Sequence, residues 1–117
     1  MQAVKQLQAT IPSGQSLSSA ADTNFEQLVG LIMPAAWDAA AISFQAGQDG
    51  ATFGDVFTAA GELSFPAANV AAGRVLLLDT TLTPGIRWLK VRSGLAATPV
   101  NQTAARTITL LIRDLAA

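Results

Sequence analysis

The chain contains no histidine and no cysteine. Without cysteine there is no disulfide framework and no thiolate nucleophile. With histidine also missing, a zinc site of the Cys/His kinds is excluded. So is a Ser-His-Asp triad, together with the one side chain that ordinarily titrates near neutrality. Charge is scarce: 13% of residues are charged, against an average of about 25%. Long apolar runs are missing too. Leu28–Ala36 is interrupted by Gly30 and Pro34, and Val75–Leu78 is only four residues, far short of the roughly 18–20 that cross a bilayer. The opening MQAVKQLQATIPSG has one lysine and no continuous apolar stretch, so no signal peptide and no membrane partner are expected.

What is present is 117 residues, 12.1 kDa, 50% of them hydrophobic. At this length one domain with one core is expected. The mean hydropathy of +0.39 is high for a soluble monomer. Abundant alanine is one explanation, and burial of apolar surface between subunits is another. The charges are unevenly distributed. Residues 1–62 hold one cation and six carboxylates, and residues 63–117 hold six cations and two carboxylates. Halves that interleave in one sandwich would cancel this asymmetry; a polar contact between chains is the alternative. With a net charge of -1 and no Lys/Arg run, nucleic acid is not an expected partner.

The periodicity is that of strands. In ARTITLLIRDL, Ile108, Leu110 and Ile112 alternate with Thr107, Thr109 and Leu111, which predicts a half-buried strand. IRWLKVRSG at 86–94 predicts a second, with Leu89 and Val91 on one face, Trp88, Lys90 and Arg92 on the other, and Gly94 ending it. Residues 41–57 predict a hairpin. Ile42 and Phe44 point in, Ser43 and Gln45 point out, Gln48-Asp49-Gly50 turns, and Phe53 starts the return. Phe25–Met33 reads as an apolar strand ended by Pro34, 73–79 as a strand buried on both faces, and 62–66 as a short strand. Residues 34–41 read as a turn or a single helical turn, and residues 11–22 as a loop or edge strand. The expected fold is an all-β, antiparallel β-sandwich of about seven or eight strands, jelly-roll-like. Residues 1–12 are expected as an extended N-terminal arm or edge strand, and residues 13–117 as the sandwich domain.

Few residues point to chemistry. Asp49 and Asp55 flank the hairpin, and Asp22 and Glu26 are four apart. Nothing places two carboxylates on facing walls, as a glycosidase requires. QDGATFGDV lacks the acid density of a calcium loop, and GQDGATFG lacks the Lys-Ser/Thr and helix of a phosphate cradle. No catalytic residue, metal ligand or cofactor is therefore expected. Trp37, Trp88, Lys90 and Arg92 remain as candidates for ligand or subunit contact. A tryptophan beside cations can stack on a sugar or on a partner's arginine, whereas core-rim packing is the plainer role.

Three segments carry a family resemblance. They are the Pro-Ala-Ala-Trp run at Pro34–Trp37, the hairpin Phe44–Gly50, and the Leu-Lys-Val-Arg-Ser-Gly strand at Leu89–Gly94. From about Ile11 to Arg113 the chain resembles small uncharacterised virion proteins of tailed bacteriophages and prophages. It is also loosely similar to jelly-roll domains of the galactose-binding type. The resemblance implies a non-enzymatic structural protein of the phage particle, of the capsid decoration (cement) or head-fibre type. Its partners would be copies of itself, for example in a trimer, and the major capsid protein or another virion protein, with residues 1–12 as a clasping arm. It also implies assembly in the host cytoplasm. A tail or neck position and a virion-displayed glycan-binding adhesin are the alternatives, the adhesin using Trp37 and Trp88 as platforms for a surface glycan.

Overall fold

The computed structural model describes residues 4–78 and 86–113. Residues 1–3 of the expected arm and the charges of Asp79 and Asp114 lie outside them. The described chain forms an antiparallel β-sandwich. Its strands are β1 (Val4–Ile11), β2 (Ala21–Asp22), β3 (Gln27–Ile32), β4 (Ile42–Gly47), β5 (Gly54–Asp55), β6 (Phe57–Thr58), β7 (Gly61–Glu62), β8 (Ser64–Phe65), β9 (Val75–Leu77), β10 (Trp88–Ser93) and β11 (Arg106–Arg113). The first sheet has the order β1-β11-β3-β9. The second has the order β2-β10-β4-β5, with β8 also paired to β4. β6 and β7 form a separate small ribbon. β1, β3, β9 and β11 lie in the first sheet and β2, β4, β5, β8 and β10 in the second, so the chain crosses between the sheets at each step except over β4 to β8.

The alternation of the sequence becomes the core. Ile108, Leu110 and Ile112 on β11 are fully buried, as are Ile42 and Phe44 on β4 and Val91 on β10. Leu89 joins them from β10, and Leu28 and Leu31 from β3. Residues 4–11, read from sequence as an arm or an edge strand, pair along their whole length with β11, from Val4 opposite Arg113 to Ile11 opposite Arg106. Ala9 and Ile11 of β1 are fully buried in that core.

Four local expectations change. The strand expected to be buried on both faces over 73–79 is the three-residue edge strand β9. Within β9 only Leu76 points inward, while Val75 and Leu77 are 53% and 74% exposed; Leu78, just beyond it, packs against the core in part. A run of apolar residues does not reveal whether a second layer covers its outer face. The strand expected from Phe25 begins at Gln27, because Asn24 and Phe25 form a turn. The short strand at 62–66 is two pieces, β7 and β8, separated by Leu63. Ser43 does point away from the core, yet it is fully buried, because Arg92 lies over it. Residues 34–41 contain no helix, and the hairpin turns at 48–51 as its residues predict.

Gly94 ends β10 through its backbone geometry. Its φ of +93° is a left-handed conformation, and a Cβ there would stand 2.5 Å from the Thr98 carbonyl oxygen. Only glycine permits both.

Candidate functional site

The four candidate residues do not form one site. Trp88 and the loop bearing Trp37 lie at opposite ends of the six-residue strand β10. The Trp37 loop is docked at the Ser93 end. There the Asp38 N–H donates to Gln102 Oε1 at 2.9 Å, and Gln102 Nε2 donates to Ser93 Oγ at 2.8 Å. Trp37 itself is half-buried against the core, and its Nε1–H donates to the Ala40 carbonyl. The two tryptophans therefore offer no common platform.

Trp88, Lys90 and Arg92 do share the outer face of the second sheet, and each is already engaged. Trp88 packs over the Gly50 turn and has the Arg87 guanidinium carbon 5.7 Å from its ring centre. The Lys90 ammonium sits 4.3 Å from the centre of the Phe53 ring, a cation–π contact supplied by the hairpin loop. Arg92 is the largest departure from the expected open cationic face, being only 6% exposed. Its Nε donates to Ser43 Oγ at 2.9 Å, one amino group to Asp55 at 2.7 Å, and the other to Glu62 at 3.1 Å. Glu62 also accepts the Ala96 N–H, and Asp55 accepts from Gln45. One guanidinium thus ties β10 to β4, β5 and β7. The Arg92 hydrogen bond holds the Asp55 carboxyl below the usual carboxylate range. Nothing local in the sequence signals this cluster, since Arg92 lies 37 and 30 residues from its two acids.

A second polar cluster closes the Trp37 end, and sequence reading missed it within an unremarkable loop. Gln102 is fully buried. Its amide oxygen accepts from the Asp38 N–H and Arg106 Nε, and its amide nitrogen donates to the Asp38 carbonyl and Ser93 Oγ. Every hydrogen-bonding position of the amide is used. Asp38 also accepts the Thr103 N–H, chiefly through which its pKa is lowered, and pairs with Arg106 at 3.1 Å.

The charge asymmetry resolves in the same way. Arg87–Asp22, Arg92–Asp55, Arg92–Glu62 and Arg106–Asp38 each join a cation of the second half to an acid of the first. The halves interleave, and these pairs lie within the molecule. Asp49 is a turn residue: one carboxylate oxygen accepts the N–H groups of Ala51 and Thr52 at 2.9 and 2.8 Å. No group of three or more acids stands together among the described residues. Between the sheets, Thr23, Glu26, Leu28, Phe44 and Leu63 line a cavity of about 10 Å³, too small for more than a single water.

The fold and these clusters define an antiparallel β-sandwich whose buried and half-buried charges serve its own cohesion. Comparison of the chain with family models, curated proteins and solved structures finds no match.

Proposed function

We propose that this chain is a non-enzymatic structural protein of a tailed-bacteriophage particle, of the capsid decoration or head-fibre type. It self-associates and binds the virion lattice. The observation that carries the assembly part is the outer face of the first sheet at its β9 edge. Val75 and Leu77 are exposed there, and Leu77 stands opposite Gly30, which stands opposite Leu111. A Cβ on Gly30 would lie within 3.5 Å of both the Leu77 and the Leu111 side chains, so the aliphatics form one patch rather than scattered residues. Ile32, opposite Val75, extends it. Such a patch beside a sheet edge is a surface for another protein. The two four-strand orders, β1-β11-β3-β9 and β2-β10-β4-β5, with the chain crossing repeatedly between them, support a jelly-roll reading of the sandwich. Placement in the virion rests on the resemblance over Pro34–Trp37, Phe44–Gly50 and Leu89–Gly94.

Light scattering of the purified chain tests self-association. The wild type is expected as an oligomer, and Leu77→Lys as a smaller species with unchanged circular dichroism. A wild-type monomer sinks the self-association claim. Mass spectrometry of purified particles from an induced host carrying the sequence tests the virion claim, which fails if the chain is absent from them.

A further inference from the structure

Phe25 is an exposed aromatic residue on a backbone that disfavours it. It follows Asn24, and both have positive φ, 52° and 62°. The turn is closed by the Glu26 N–H donating to the Thr23 carbonyl at 2.9 Å. Asp22 accepts the Asn24 N–H, and the Thr23 side chain is fixed to the Ile86 and Arg87 carbonyls. Asparagine accepts a left-handed backbone readily. A bulky residue at the next left-handed position is an outlier where glycine is preferred. The core does not require it, for 47% of Phe25 is exposed. An aromatic held at a strained position while facing solvent points to contact with something outside the molecule.

Its surroundings indicate what. The Arg87 guanidinium carbon lies 5.7 Å from the ring centres of both Phe25 and Trp88. Arg87 is paired side-on with Asp22, through Nε and one amino group, each at 3.1 Å. The pair is electrically neutral, yet it presents carboxylate acceptors and guanidinium N–H groups that no other described residue accepts, at a surface where both side chains are over a third exposed. Beside it lies a recess of about 170 Å³ lined by Ala46, Gly47, Gln48 and Ile86. The recess adjoins Arg87 and Trp88: Gln48 accepts the Arg87 N–H at 3.2 Å, and Gly47 is the cross-strand partner of Trp88. The indole reaches over the turn because Gly50, with φ +76°, has no Cβ, which would stand 3.0 Å from it.

We infer that Phe25, Arg87 with Asp22, and the adjoining recess form a binding site for the face of a neutral pyranose. An aromatic ring suits the C–H face of such a sugar, and the neutral donor–acceptor edge suits its hydroxyls. A charged sugar would meet the wrong half of the Arg87–Asp22 pair. The site does not depend on the assembly surface of the first sheet, and it uses neither Trp37 nor a free face of Trp88.

The test is ligand-observed NMR with maltohexaose, chitohexaose, galactobiose and methyl mannoside at millimolar concentration, and polygalacturonate as the acidic probe. The wild type is expected to bind at least one neutral probe and not the acidic one. Phe25→Gly should weaken binding by roughly tenfold or more while its Tm does not fall. Phe25→Tyr should retain binding. Asp22→Asn, which frees the Arg87 charge, should gain binding to polygalacturonate. The proposal is overturned by a wild type that binds no neutral probe, or by Phe25→Gly binding as well as wild type. It is also overturned by a Tm lowered in Phe25→Gly, which would make the ring structural, or by Asp22→Asn leaving the preference unchanged. Retention of a host-surface protein in place of any sugar would overturn it too.

Discussion

The two sheets turn different faces to solvent. Outside the second sheet, Arg92 is roofed by Asp55 and Glu62, Lys90 by Phe53, and Trp88 by the Gly50 turn. Outside the first sheet, β1 and β11 present Gln6, Gln8, Thr10, Thr107 and Thr109, and β3 and β9 present bare aliphatics. The first face has spent its charges internally, and the second has kept apolar surface uncovered. Paired charges are weak sources of contact with a partner, because an incoming group would have to replace bonds already made. The uncovered aliphatics carry no such debt. The lesson is that the groups of the cationic strand are already engaged within the molecule, whereas the plain Val75–Leu77 run is the one left exposed.

The largest test of the comparison uses the two edges of the first sheet. Deletion of residues 1–11 removes the eight-residue ladder between β1 and β11 and two fully buried side chains, Ala9 and Ile11. Losing a buried isoleucine alone costs about 2–5 kcal/mol, against a total stability of roughly 5–15 kcal/mol. The truncated chain is expected to show no cooperative thermal transition by circular dichroism. At the β9 edge, Leu77→Lys should change stability by no more than about 0.5 kcal/mol. Equal effects at the two edges would show that β9 is as integral as β1. Truncation is accordingly a test of folding; it cannot serve as a test of a clasping arm unless the shortened chain still melts cooperatively.

Most of the frame was legible because strand period two survives in the sequence wherever one face is buried. Ile108, Leu110 and Ile112, or Ile42 and Phe44, reveal their own direction. Legibility failed where the deciding neighbour is distant. Val75 and Leu77 look like core until the sheet order shows no further strand beyond them among the described residues. Arg92 looks like a solvated cation until Asp55 and Glu62 are folded over it. Gln102 looks like a loop residue until Asp38 arrives from 64 positions away. Phe25 was absorbed into an apolar run, and its only local signal was the preceding asparagine, a turn residue. That Trp37 and Trp88 stand at opposite ends of β10 was not legible for the same reason: residue type carries no information about which end of a strand a loop docks to.

The second test addresses the roofed face. Arg92 is the common donor of its cluster, so Arg92→Ala leaves Ser43, Asp55 and Glu62 without that partner, Ser43 being fully buried. Removing one member of a buried charge cluster costs about 3 kcal/mol or more, which for a domain of this size lowers Tm by roughly 10 °C. Thermal melts read this directly. Arg92→Met, which refills the volume without restoring the charge, should recover little, because the acids stay unpaired. Full recovery by Met would show that packing, not charge pairing, holds the 54–62 segment against β10.

The smallest effect is set by acid, and it should fall unevenly across the molecule. Hydrogen bonds from Arg87 hold Asp22 below its ordinary pKa, the Thr103 N–H does so for Asp38, the Thr52 and Ala51 N–H groups for Asp49, and Arg92 for Asp55. A carboxyl whose folded pKa is depressed binds protons more readily when unfolded. Its stabilisation is therefore present above the unfolded aspartate value of about 3.9, and is lost as pH falls through the lower folded values. With no histidine in the chain, Tm is expected to stay flat between about pH 5 and 8 and to fall only below about pH 4. Amide exchange resolves where. The N–H groups of Asn24, Ala51, Thr52 and Thr103, bonded to these carboxylates, should lose protection first. Those of the ladder between β1 and β11, which involves no Asp or Glu, should hold until global unfolding. Simultaneous loss at both places would mean that the charge clusters and the first sheet melt as one unit, and the contrast between the two faces would then be one of chemistry without being one of stability.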